Sequence, residues 1–267
     1  MSDSVRQGPA GAAAGFAALH RAGDPLVLPN AWDHASACLL AARGFPAIGT
    51  TSLGVAAAAG VPDGTAATRQ ETLRLALALG AEPFLLSVDA EGGFSDDPDE
   101  VAAFARELAA AGAVGINLED GAGPVRRHAA KIAAVKSAAP GLFVNARTDT
   151  FWLGGGDGDP GLGQTLRRLD AYQEAGADGV FVPGLTDAAR IAALVDALDV
   201  PLNILYSPAG PALPHLTDLG VRRVSVGSLL YRRALGAAVE AMADVRAGRE
   251  PTGTAPAYAE VRALGEH

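Results

Sequence analysis

Residues 85–94 read LLSVDAEGGF, an apolar run that ends in two carboxylates, Asp89 and Glu91, and then a glycine pair. The pattern recurs twice: AVGINLED at 113–120 ends in Glu119 and Asp120, and LFVNARTD at 142–149 ends in Arg147 and Asp149. Carboxylates combined with backbone oxygens and water make an oxygen-rich site that suits Mg²⁺, with Mn²⁺ the alternative ion. Asp89 and Glu119 are the first pair for such a site, with Glu91 a third acid. A guanidinium presents a planar fork that matches a carboxylate bidentately. Arg147 therefore suits the acid group of a small 2-oxo or 2-hydroxy acid whose α-oxygen reaches the metal. Plainer readings stand beside these. Asp120 and Asp149 are also ordinary turn or cap residues, and Arg147 also serves as a counter-ion for the acids.

Burial-grade runs must place these groups. Eight short runs rich in β-formers occur at 25–30, 46–52, 84–89, 113–120, 142–149, 179–184, 201–205 and 222–228. They lack the alternation of a half-exposed strand, as strands buried on both faces do. Amphipathic segments separate them. DPDEVAAFARELAAAGA sets Val101, Phe104, Ala105 and Leu108 on one stripe and crowds acids into its first turn, where the helix dipole favours them. This rhythm predicts a single (β/α)₈ barrel over residues 1–267, with an extra N-terminal helix at about 8–22 and a C-terminal helical extension after Leu235. An open doubly wound sheet is the competitor, but no GxGxxG follows the first run. The barrel puts Asn30, Thr51, Ser52, Asp89, Glu119, Arg147, Asn203 and Ser228 at one mouth.

Composition removes several classes of function. The net charge of −9 and the lack of a basic cluster argue against nucleic acid or an acidic membrane surface as partner. The uncharged run 44–62 carries prolines and glycines and reads as strand plus loop rather than a membrane span. An alanine-rich start with one basic residue, Arg6, does not read as a signal peptide, so the expected compartment is the cytoplasm. One cysteine, Cys38, excludes an internal disulfide and a Cys-rich zinc site. It reads as a free thiol packed in the first barrel helix, with Ala35, Leu39 and Ala42 as that helix's packing stripe. His34 reads as a capping or surface residue or as a proton carrier, and Tyr206 as a donor or a packing residue. The glycine-rich stretch at 154–161 has no phosphate-binding lysine and reads as a rim loop.

GFPAIGTTS, VPDG, DAEGGF, GAVGINLED, VNARTD, GADGVFVPG and RRVSVGS, in that order over about residues 24–240, together resemble the isocitrate lyase/phosphoenolpyruvate mutase superfamily. The resemblance implies Mg²⁺, enolate chemistry on small oxo acids, and homodimers or homotetramers that exchange their last helix. It implies that Asp89 binds metal, Glu119 acts directly or through water at that metal, and Arg147 holds substrate. It further implies that Thr51, Ser52 and Leu53 hold the substrate carboxylate and that Asp63 belongs to a mobile lid. Two departures matter. Family members commonly carry an aspartate two residues before Asp89, where this chain has Ser87; Glu91 is the candidate replacement. The long cysteine-bearing loop of the C–C lyases is absent after Glu119, as is the loop of the phosphonomutases. The expectation is a lyase or hydrolase acting on a small 2-oxo acid, or a protein that binds such acids with little turnover. A phosphate-binding barrel that uses VSVGS is a more distant alternative.

Overall fold

The structure is a computed structural model, and it describes residues 9–153 and 161–265. The start of the chain and most of the glycine-rich stretch, both read above from sequence, lie outside the described residues. The strands are β1 (Leu26–Leu28), β2 (Asn30–Ala31), β3 (Ala47–Thr50), β4 (Leu85–Asp89), β5 (Ala113–Glu119), β6 (Phe143–Arg147), β7 (Gly179–Val182), β8 (Leu202–Leu205) and β9 (Arg223–Ser225). All pair in parallel in the order β1-β9-β8-β7-β6-β5-β4-β3-β2. β1 and β2 are one barrel strand interrupted at Pro29, which has no N–H for a ladder bond. Its two halves pair with opposite ends of the sheet order, β9 and β3. The predicted eight-stranded barrel therefore closes.

Helices cover the outside of the barrel. α5 (Pro98–Ala110) starts at its N-cap Asp97, has Pro98 in its first turn, and carries Asp99 and Glu100 there. Its predicted stripe is the observed one: Val101, Phe104, Ala105 and Leu108 are all buried. Side chains the size of Phe104 and Leu108 contribute roughly 1.5–3 kcal/mol each when fully buried. α1 (Pro9–Leu19) caps the N-terminal end of the barrel through Phe16, which packs with Leu26, Leu28, Ala47, Val114 and Phe143. The approach is close at Gly115, where a Cβ would stand 2.8 Å from the Phe16 ring.

The remaining helices are α2 (His34–Ala42), α3 (Ser52–Ala59), α4 (Arg69–Leu79), α6 (Val125–Ala138), α7 (Leu162–Glu174), α8 (Ala188–Ala197), α9 (Leu213–Asp218), α10 (Leu229–Arg246) and α11 (Tyr258–Ala263). α10 begins before Leu235 and α11 forms the extension beyond it. In α2 the packing stripe differs from expectation: Ala37 is buried, Ala35 and Leu39 are half-buried, and Ala42 is exposed. Among the described residues no helix is long and apolar enough to cross a membrane.

Candidate active site

Strand ends meet α-helix starts at the C-terminal rim, and the sequence-predicted groups divide into those that face the mouth and those that do not. Asp89 ends β4. Its Oδ2 accepts the Ser52 amide at 3.1 Å, and its own amide donates to Thr50 Oγ1 at 2.8 Å. Asp89 Oδ1 takes no other hydrogen bond among the described residues. Ser52 opens α3 and its amide is spent on Asp89, but the Leu53 amide lies in the same first turn, where backbone N–H groups have no intrahelical acceptor. Thr51 does not offer its amide, because it donates to Ala31 O at 3.1 Å. Asp63 lies in the exposed segment between α3 and α4, with the Ser52 side chain beside it.

Arg147 ends β6 between two acids. Its Nη1 is 2.7 Å from Glu119 Oε2, while Nη2 and Nε reach Asp149 Oδ1 at 2.6 and 2.7 Å. A guanidinium has five N–H donors, so two remain for a ligand. Glu119 and Arg147 are in register on neighbouring strands, which is why the pair forms. Asp149, read from sequence only as a turn acid, is a buried orienting partner. Its signal was its place two residues beyond Arg147 at the same strand end.

Other groups point elsewhere. Glu91 is buried at φ 46°, in the left-handed region, and its oxygens accept the Ala66 amide (3.1 Å) and the Thr68 hydroxyl. It braces the segment before α4 instead of presenting both oxygens to the mouth. Asp120 has both oxygens saturated by five donors: the Ala122 and Asp149 amides, the Thr148 and Tyr172 hydroxyls and Arg168. Asn203 lies within the barrel, accepts Ser225 Oγ at 3.3 Å, and leaves Nδ2 buried without a partner among the described residues. Asn30 is a brace across the closure, donating to Thr50 O and accepting the Val226 and Gly227 amides. Arg223, at the start of the RRVSVGS run, is almost fully buried in the interior. Its Nη2 reaches Asn117 Oδ1 at 3.1 Å. The alternation of RRVSV, which puts Arg223 and Ser225 on one face, was the available signal.

The mouth is over-supplied with negative charge. Asp63, Asp89, Glu119 and Asp149 all act on one rim cation, Arg147, with Glu91 behind them. Burial pushes Glu119 up to about 8; Asp89, Asp149 and Glu91 add to the rise, and Arg147 opposes it. Burial likewise raises Glu91 and Asp149 from their ordinary values, and partial desolvation with Asp89 nearby raises the exposed Asp63 against the Ser52 hydroxyl. For Arg147, burial pulls downward, but Glu119, Asp149 and Asp89 together raise it. Carboxylates forced up in this way are relieved by a proton or by a cation. A hard divalent ion fits the donor set, since Asp89 and Glu119 each keep one oxygen clear of protein donors. A cavity of about 610 Å³ opens at the opposite end, beside α1, and no strand-end group of the mouth lines it.

A closed parallel barrel with an acid-rich, arginine-bearing C-terminal rim sets the class of the protein. The chain matches the phosphoenolpyruvate phosphomutase family model over residues 16–246, and it belongs to that family. It is 44% identical over 252 residues to an uncharacterized protein of Mycobacterium tuberculosis, covering 93% of this chain and 95% of that one. It is 30% identical over 236 residues to the 2-methylisocitrate lyase of Escherichia coli, covering 79% and 77%. A phosphonopyruvate hydrolase crystallised with oxalate and Mg²⁺ superimposes with a TM-score of 0.83 at 25% identity, covering 96% and 95%.

Proposed function

We propose that this chain is a Mg²⁺-dependent C–C bond lyase acting on a small 2-oxo acid through an enolate. The observation that carries the reading is the rim itself: Asp89 and Glu119 with uncommitted oxygens, beside an Arg147 with two donors left. Mn²⁺ suits the same oxygens. The similarity to a hydrolase bound to oxalate and Mg²⁺ supports this choice of ion and ligand class. Bound between Asp89 and Glu119, Mg²⁺ would supply Lewis-acid stabilisation for charge developing on the 2-oxo oxygen. Arg147 and the Leu53 amide in the first turn of α3 hold and orient the substrate carboxylate. Asp149 keeps the guanidinium aimed at the rim.

The turn from β5 to α6 spans only residues 120–124 and brings no side chain over the rim to serve a departing fragment as acid or base. The bond best suited to such a site is one whose fragment needs no such partner. Loss of CO₂ from a 3-carboxy-2-oxo acid meets that condition: the electron pair of the broken bond becomes the enolate, and CO₂ leaves neutral. With Glu119 ionised at the metal, Asp63, whose carboxyl is raised above its ordinary value, is the acid left to return a proton to the enolate carbon.

A homodimer or homotetramer belongs to this reading, supported by exposed apolar side chains along α10. So does a cytoplasmic location, where a lone thiol stays reduced. One observation favours a second reading, binding with little turnover: three Arg147 donors are already spent on protein acids. Turnover of oxaloacetate, 2-oxoglutarate, phosphonopyruvate, isocitrate and 2-methylisocitrate with Mg²⁺, measured against enzyme-free controls, separates the readings. The expected result is pyruvate from oxaloacetate and little cleavage of the isocitrates. Efficient isocitrate cleavage overturns the proposal, and saturable binding without product establishes the second reading.

A further inference from the structure

A second constellation lies outside the barrel mouth. His34 opens α2 and Cys38 follows four residues later, so the two side chains lie one above the other on a single helix face. Glu82 comes from the turn between α4 and β4 and meets them there. His34 Nε2 is 2.9 Å from Glu82 Oε1, and Cys38 Sγ is 3.6 Å from the same nitrogen. One ligand atom from each residue lies within 4.8 Å of the other two, and all three residues are half-buried. The side-chain exposures of His34 and Glu82, 37% and 19%, leave an approach from solvent.

We infer that His34, Cys38 and Glu82 bind a thiophilic divalent cation of the Zn²⁺ class, with a fourth position open to water. Zinc bonds of about 2.3 Å to sulfur and 2.0–2.2 Å to nitrogen and oxygen place tetrahedral ligand atoms roughly 3.3–3.6 Å apart. The observed sulfur–nitrogen separation of 3.6 Å already matches, and the 2.9 Å nitrogen–oxygen contact need open by only a few tenths of an ångström. A mixed sulfur, nitrogen and oxygen set discriminates against Mg²⁺, so this site and the all-oxygen rim select different ions. Both supports are fixed before metal arrives. A reciprocal capping box between Asp33 and Ser36 sets the first turn of α2, and the Glu82 amide donates to Leu79 O. Binding replaces the S–H bond with an S–metal bond and releases the thiol proton to solvent. A single cysteine excludes a Cys-rich zinc site but not a mixed one. The His34–Cys38 spacing was the visible half of the signal, and Glu82, 44 residues beyond Cys38, joins only through the fold.

The test uses untagged, chelator-treated protein in excess Mg²⁺, titrated with Co²⁺ and then with Zn²⁺. The expected result is one equivalent of Co²⁺ with a thiolate-to-metal charge-transfer band, displaced by Zn²⁺. Cys38→Ser loses the band and Glu82→Gln weakens Zn²⁺ binding at least tenfold, while Asp89→Ala changes neither. Alkylation of Cys38 in the wild-type protein, which needs no variant to fold, slows at least tenfold with Zn²⁺ and not with Mg²⁺. Absence of the band together with unprotected alkylation overturns the site, as does Zn²⁺ affinity unchanged in a folded Cys38→Ser variant.

Discussion

Arg147 is held on two sides by carboxylates, and what it still offers a ligand depends on the shape of its fork rather than on its charge. Arg147→Lys keeps the charge and loses the paired donors. Oxo-acid binding is expected to weaken by about 1.5–3 kcal/mol, the range for hydrogen bonds to charged groups; titration calorimetry with oxalate checks it. Asp89 sits at the rim rather than in the core, so Asp89→Ala is expected to abolish Mg²⁺ binding by the same method while the thermal midpoint barely moves. These residues were legible in sequence because each closes an apolar run, and a strand's last side chain has few places to go. Glu91 and Asn203 were not legible to the same degree. A positive φ turns Glu91 toward Thr68, and strand alternation sends Asn203 into the barrel interior. Both depend on side-chain direction, which residue type does not encode.

At the scale of elements, α6 carries a titratable group into the core. Burial holds His128 down to about 4, with Lys131 and Arg168 adding to the fall and Asp120 opposing it. Its ring stands edge-on to Tyr172, and its Nε2 has no partner among the described residues. Because the folded value lies below the unfolded one, the unfolded chain binds more protons between about pH 4 and 6.5. Stability is then fully present above that window and falls as pH drops through it. The contribution is on the order of 3 kcal/mol at neutral pH. His128→Phe keeps the ring contact, and urea unfolding at pH 4.5 and 7 is expected to show a smaller difference than in the wild-type protein. Buried His20, held down to about 3, retains part of the slope. The elements themselves were legible wherever one signal dominated, as with the α5 stripe and the apolar strands. Pro29 was not read as a strand break, because a proline near a strand end is unremarkable until the two halves are seen to pair with different neighbours.

For the whole molecule, the barrel was legible from its rhythm, whereas an assembly is expected only through the family resemblance, because a stripe names no partner. Leu235, Val239, Met242 and Val245 recur three or four residues apart along α10 with exposures of 51, 71, 65 and 55%. No residue of α10 is buried. A second copy is the expected cover for such a stripe in a chain of net charge −9. Light scattering is expected to give a multiple of the 26.9 kDa chain mass, and Val239→Lys with Met242→Lys is expected to give the single mass. A wild-type monomer refutes the assembly without touching the chemistry at the rim.

The turn at 120–124 also sets a condition on transplantation. The Ala122 amide is spent on Asp120, and the Ala122 and Gly123 carbonyls on Arg168 of α7. A longer lid inserted there pulls away the acceptors of a mostly buried guanidinium and disturbs the five-donor cradle of Asp120. A proton-donating loop borrowed from a relative would therefore have to arrive together with a rewritten α7 face at Arg168 and Tyr172. In this barrel, the short turn and the helix beside it are a single exchangeable part.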